Sequence, residues 1–254
     1  MIDFYNDTSG YPINVRSLTK KLNGFQVTQG ATSDGRNIYM VFERRHHNGC
    51  ARRCRIVKLD AGTLELKQVS DVLRIGHGND MAYRDGVLYI THSFGNRRIH
   101  RVNARTLKQM EGIEVSIPQK FRRKRIRCFN GIACFGNGYI LRVMGGTGML
   151  VVDENFQGIR YFRTSNKYKT SQGMAQKNRT TYRAYSELQS SDKNFLVTFD
   201  DDGKMISKER LELTGEMESV FFVGEQLCGT VYRRTADKAG RKRYAAYVYR
   251  IYGY

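Results

Sequence analysis

A short motif recurs five times along the chain, and that recurrence limits the possible folds more than any other feature. It reads Gln29-Gly30-Ala31, Asn79-Asp80-Met81, Asn130-Gly131-Ile132, Gln172-Gly173-Met174 and Glu218-Ser219-Val220. Each copy is an amide or acid, then a small residue or Asp, then apolar positions. The anchors lie 50, 51, 42 and 46 residues apart, the period of a four-stranded propeller blade. A tight turn follows each anchor, with Asp34-Gly35, Asp85-Gly86 and Asn137-Gly138 in the first three copies. These dipeptides tolerate positive φ and signal hairpins. A β-rich second strand comes next, as in Ile38-Tyr39-Met40-Val41-Phe42 and Leu88-Tyr89-Ile90-Thr91-His92.

Third strands are expected at Arg55 to Leu59, Arg98 to Val102, Met149 to Val152, Phe195 to Phe199 and Tyr247 to Tyr252. Four of them end on Asp60, Asn103, Asp153 or Asp200, whose side chains cap turns by bonding the backbone two residues on. Fourth strands follow in the first four units, for example at 64–67 and 205–208. The fifth unit runs out of chain, and the segment before Gly24 is expected to supply its missing strand. The predicted fold is all-β: a five-bladed β-propeller of four-stranded antiparallel blades, closed by the N-terminal segment. One domain, 1–254, is expected, with blades near 24–72, 73–120, 121–166, 167–213 and 214–254. A β-sandwich of hairpins is the competing fold, but it does not demand five equivalent units.

Two prolines and 40% hydrophobic residues fit an ordered, soluble domain. No apolar run approaches a membrane span. The polar start Met-Ile-Asp-Phe-Tyr-Asn-Asp does not read as a signal peptide. The five cysteines fit reduced thiols, so a cytoplasmic location is expected, with a virion component as the alternative. The net charge of +19 favours anionic partners: nucleic acid, an anionic glycan or a phosphorylated ligand.

In a propeller the first strand of each blade is innermost and its start faces the central channel. Gln29, Asn79, Asn130, Gln172 and Glu218 are therefore expected to ring one mouth, joined by His77, Asp80 and Ser171. Buried amides at such positions can equally serve to hold blades together. His77, Asp80 and Glu218 depart from the amide pattern and are the candidates for acid–base catalysis. His92, on the second strand of the same blade, reads as a site neighbour or as a packed core histidine.

Connections into each blade and those between second and third strands share the face on which this ring opens. The basic runs fall on such connections. Arg44, Arg45, Arg52 and Arg53 belong to blade one, Arg122, Arg123, Lys124 and Arg125 lead into blade three, and Arg233, Arg234, Arg241, Lys242 and Arg243 belong to blade five. A charge run is usually a solvated loop, but three on one face predict a positive rim around the mouth. Together with the amides Gln29, Asn79, Asn130 and Gln172 they form the candidate ligand-binding set.

His46, His47, Cys50 and Cys54 carry zinc-type donors. Their Cys-x3-Cys spacing is not diagnostic and four arginines surround them, so no metal or other cofactor is expected. Cys128 and Cys134 flank an innermost strand and read as core. Gly145-Gly146-Thr147-Gly148 precedes no helix and reads as a turn. No nucleophile elbow, P-loop, zinc-protease, RNP or helix-turn-helix pattern occurs.

Val27-Thr28-Gln29-Gly30, followed by Asp34-Gly35 and Ile38-Tyr39, resembles the opening strand of plant- and bacterial-type glutaminyl-peptide cyclotransferases. Those are five-bladed propellers that form N-terminal pyroglutamate in a central channel. The resemblance implies the same fold, and its motif carries over only to Gln29 and Gly30. Three functions follow from the sequence. The first is a module binding an anionic ligand or polyanion on the basic face. The second is an enzyme with an acid–base site at the channel mouth, glutaminyl-cyclase-like or lyase-like. The third is a structural subunit of a virion or other assembly with a protein partner.

Overall fold

The computed structural model describes residues 11–12, 22, 24–44, 53–93, 96–124, 126–165, 171–186, 193–236 and 242–251. It is a five-bladed propeller of antiparallel sheets. Blade one contains β2 (Phe25–Ser33), β3 (Asn37–Arg44), β4 (Cys54–Asp60) and β5 (Leu66–Val69). Blade two contains β6 (Asp80–Arg84), β7 (Val87–Thr91), β8 (Arg98–Asn103) and β9 (Gln109–Glu114). Blade three contains β10 (Phe129–Phe135), β11 (Gly138–Val143), β12 (Gly148–Val152) and β13 (Gly158–Arg163). Blade four contains β14 (Ser171–Lys177), β15 (Thr180–Ser186), β16 (Asn194–Phe199) and β17 (Met205–Leu211). Blade five takes β18 (Glu216–Val223), β19 (Gln226–Ala236) and β20 (Lys242–Ile251) from the end of the chain. Its outer strand is β1 (Tyr11–Pro12), which pairs with Val248 and Tyr247 and so ties the two ends together.

Alternation along the strands gives each blade two apolar faces, and each face packs on a neighbour. Phe221, Cys228 and Val248 of blade five meet Ala31, Met40 and Leu59 of blade one, which closes the ring. Blades one and two share Tyr39, Val41, Leu88 and Ile90, and blades two and three share Ile99, Ile132 and Leu141. Met174 joins Ile140 and Val151 between blades three and four, and Ala184 joins Val220 and Leu227 between blades four and five.

The turns between third and fourth strands follow one plan. Asp60 Oδ1 accepts from the amides of Gly62 and Thr63, and Asn103 Oδ1 accepts from Arg105 and Thr106. Asp153 Oδ1 accepts from Asn155 and Gln157, and Asp200 Oδ1 accepts from Asp202 and Lys204. Each turn also needs one left-handed residue. Leu64, Leu107 and Phe156 fill that place in three blades with φ of 57°, 55° and 58°, and Gly203 fills it in the fourth. The strain at Leu107 and Phe156 is offset by full burial of their side chains. Because Leu64 is spent on the turn, β5 starts at Leu66, two residues later than the sequence suggests.

Candidate functional site at the channel mouth

Four of the five anchors sit at interruptions in the pairing of an innermost strand. The register shifts between Thr28 and Ala31, Phe129 and Gly131, Ser171 and Met174, and Met217 and Ser219. Gln29, Asn130, Gln172 and Glu218 occupy those bulges. A bulge turns a side chain out of the alternation, which frees these four from the blade faces. Asn79 lies just before β6 and has no bulge.

The residue after each anchor forms the axial layer: Gly30, Asp80, Gly131, Gly173 and Ser219. Asp80 fills this layer and is fully buried, at 0% exposure. Its Oδ2 accepts from the amides of Ile132 at 2.9 Å and Met174 at 3.0 Å. Ser219 Oγ lies 3.5 Å from Oδ1. The glycines make room for it: a Cβ on Gly173 would stand 2.8 Å from Asp80 Oδ1, and one on Gly30 2.5 Å from Asp80 Cα. Ser219 Oγ also accepts from the Ala31 amide at 3.1 Å. Burial pushes the Asp80 carboxyl well up, against the pull of the Ile132, Met174 and Met81 amides. The structure thus places Asp80 on the ring axis as a clasp between blades. It was expected at the open mouth as a catalytic group.

Glu218 is 4% exposed. Burial pushes its carboxyl well above the usual range, and the carboxylates of Glu216 and Glu43 push it further the same way. Glu43, at the end of β3, holds His77 through a 2.6 Å contact between Oε2 and Nδ1. Glu216 Oε1 accepts from Gln172 Nε2 at 2.9 Å. Blades one, two, four and five therefore each send a polar group to one side of the mouth. Glu43 and Glu216 lay outside the sequence-derived set; a carboxylate at a strand end beside the anchors is the signal that could have found them.

Two buried arginines lie on the second strands of blades three and four. Arg142 on β11 is 4% exposed and Arg183 on β15 is 1% exposed. Arg142 is paired across the sheet with Gly131, and Arg183 with Met174. Burial and the nearby Arg183 disfavour charge on Arg142, while Tyr185 and Asp80 support it. The Arg183 guanidinium lies over the rings of Tyr185 and Phe199 at 5.0 and 5.4 Å, and its Nη1 donates to Thr164 Oγ1. Asn130 Oδ1, Thr28 Oγ1 and Thr230 Oγ1 are buried without a hydrogen-bond partner among the described residues. Asn79 is engaged, since its Oδ1 accepts from Ser93 Oγ.

The basic rim is more dispersed than expected. Arg44 and Arg53 are exposed at the mouth end of blade one. Arg233 donates to Thr214 O and covers the Tyr247 ring. Arg234, Lys242 and Arg243 occupy paired positions on the β19–β20 hairpin, where only their backbone is described. Arg45, Arg52, Arg125 and Arg241 lie outside the described residues. Arg122, Arg123 and Lys124 are not at the mouth. They end a 3-10 helix, Gln119–Lys124, that lies along β13, the outer strand of blade three. Lys120 Nζ donates to Ile159 O, Phe121 meets the Tyr161 ring at 6.3 Å, and Lys124 covers Tyr161. Apolar contact to β13 draws this connection outward, which strand order alone does not reveal.

Of the possible zinc donors, His46, His47 and Cys50 lie outside the described residues. Cys54 is in the core, donating to Gly76 O, with its thiol pushed up by burial. His92 packs against His100, with ring centres 4.9 Å apart, in space that a Cβ on Gly76 would occupy.

No family model matches the sequence, and no curated protein matches it. Solved structures do. The chain is similar to the glutaminyl cyclase of Myxococcus xanthus, with a TM-score of 0.56 and 11% identity over 89% of this chain and 92% of that one. It is also similar to the RS223 β-xylosidase, with a TM-score of 0.57, 12% identity, and 89% and 93% of the two chains covered. For CoXyl43, a GH43 β-xylosidase/α-arabinofuranosidase from a compost metagenome, the values are 0.53, 12%, 87% and 94%. These likenesses establish the five-bladed propeller fold. Among the described residues no helix is long and apolar enough to cross a membrane.

Proposed function

We propose that the channel mouth is an acid–base site acting on a small polar ligand. The observation that carries this reading is Glu218, a carboxyl in the β18 bulge at 4% exposure, whose proton affinity is raised by burial and by the neighbouring Glu216 and Glu43. A carboxyl whose proton affinity is raised in this way is suited to the role of general acid. His77, oriented by Glu43 at 2.6 Å, is the proton acceptor, and Gln172 and Asn130 orient the ligand.

The propellers of similar fold include a glutaminyl cyclase and two xylosidases. Cyclisation of an N-terminal glutamine and cleavage of a glycoside both need proton donation to a leaving group, so these are the first substrates to try. The test incubates the protein with a glutamine-initiated peptide, read by ammonia release, and with aryl glycosides, read by absorbance. Glu218→Gln and His77→Ala should each cut turnover ~10²-fold or more while both variants remain folded by circular dichroism. Turnover equal to wild type in both variants would overturn the assignment. The rival reading, a module that binds a polyanion around the mouth, keeps Arg44 and Arg53 in its favour but loses the blade-three run, which sits elsewhere.

A further inference from the structure

Residues 97–127 carry eleven basic and two acidic side chains, close to half of the chain's net charge in an eighth of its length. The fold places its strands β8 and β9 and its 3-10 helix on the outer edge of blades two and three. Arg97, before β8, and Arg122, on the 3-10 helix, line one cleft of about 590 Å³ together with Ser116, Ile117 and Ile126. Glu114 also lines it and is paired with Arg97 at 3.4 Å. Arg98 continues the row across β9, where Gly112 makes way for it: a Cβ there would stand 2.5 Å from Arg98 Nε. Arg101 is held alongside, its Nε donating to Glu111 O at 2.6 Å. Arg123, Lys124 and Arg127 are exposed beyond the cleft.

We propose that this edge is a docking surface for single-stranded nucleic acid, bound through its phosphates without reading sequence. A solvated charge run would leave its arginines unorganised. Here three arginines are fixed by a carboxylate, a carbonyl and a glycine gap. Eight of the eleven cations are arginine, whose planar fork matches phosphate oxygens bidentately. The half-buried Phe121–Tyr161 pair lies within this basic surface. Basic grooves with aromatic platforms are how sequence-tolerant single-strand binders work. A sulfated glycan satisfies the cations but offers the rings only saturated sugar faces, whereas every nucleobase offers a π-face. The surface shares no residue with the channel-mouth site, so the two readings stand or fall separately.

The test is fluorescence anisotropy with a labelled oligothymidylate, from 50 to 300 mM salt, with a heparin oligosaccharide as competitor. The variant Arg97→Glu/Arg122→Glu/Arg123→Glu/Lys124→Glu should weaken binding at least 30-fold. It should also flatten the salt dependence by about 0.7 in log–log slope for each phosphate that is no longer neutralised. A control reverses four exposed cations near the outer strand of blade four (Lys193, Lys204, Lys208 and Arg210), matching the change in net charge; it should weaken binding less than 5-fold. Phe121→Leu, which keeps the apolar contact to Tyr161 but removes an aromatic face, should weaken oligothymidylate binding several-fold while leaving binding of an inorganic polyphosphate unchanged. Glu218→Gln should leave nucleic-acid binding intact. Equal loss in the two reversal variants, absence of binding at 50 mM salt, or preference for heparin over the oligonucleotide would each overturn the proposal.

Discussion

The amide of Met174 donates to Asp80 Oδ2 at 3.0 Å, joining residues 94 positions apart across the axis of the ring. Ile132 of blade three donates to the same oxygen, and Ser219 of blade five lies at the other. One side chain therefore gathers four blades, while the Gly30 amide, donating to Gly78 O, brings in blade one. Removing the carboxyl strands two buried amides, at ~1–3 kcal/mol for each unsatisfied group. Asp80→Ala should lower the melting temperature by roughly 4–24 °C, at ~2–4 °C per kcal/mol for a chain of this size. Gly173→Ala should destabilise comparably, since its Cβ would stand 2.6 Å from Ser219 Oγ. Thermal unfolding of both variants checks this, and a melting temperature for Asp80→Ala within about 2 °C of wild type would contradict the clasp.

Glu218 makes a pH-dependent prediction on stability, separate from any turnover. Its folded-state proton affinity lies above the unfolded value. The folded chain therefore holds the proton more tightly, and stability present at low pH is lost as pH rises through the folded pKa. The window opens above the ordinary carboxylate range, near pH ~4.3, and extends upward. Glu218→Gln resembles the protonated acid and has nothing to lose. In urea titrations at stepped pH, the variant should gain on wild type steadily as pH rises. A constant difference between the two across pH 4 to 8 would show that Glu218 carries no raised pKa.

The repeat made the propeller legible because each blade restates the same local chemistry. Asp60, Asn103, Asp153 and Asp200 close turns of one design, and that side-chain mechanism is written in the residues themselves. Asn103→Ala should accordingly cost about 1 kcal/mol, measurable by chemical denaturation. The candidate site was only half legible. The anchors repeat, so Gln29, Asn130, Gln172 and Glu218 could be picked out, but their partners come from the ends of other strands. Nothing local marks Glu43 as the neighbour of His77, 34 positions on. Nothing local marks Arg142 as buried either; it fits beside Gly131, where a Cβ would stand 3.0 Å from Arg142 Cβ. The course of the 3-10 helix depends on Phe121 finding Tyr161, a meeting that topology does not dictate.

His100 gives the opposite sign on the acid side. Burial lowers its imidazole to about 4, with His92 and Arg98 nearby acting in the same direction. The unfolded chain takes up this proton first, near pH ~6.5. Stability is therefore full above that value and is lost as pH falls from there toward the folded pKa. His100→Phe fills the same space beside His92 and cannot be protonated. Its melting temperature should hold steadier than wild type between pH 6.5 and 4.5, and the difference between the two should stay constant above pH 7. Parallel melting curves over the whole range would mean that His100 is protonated as easily in the folded chain as in the unfolded one.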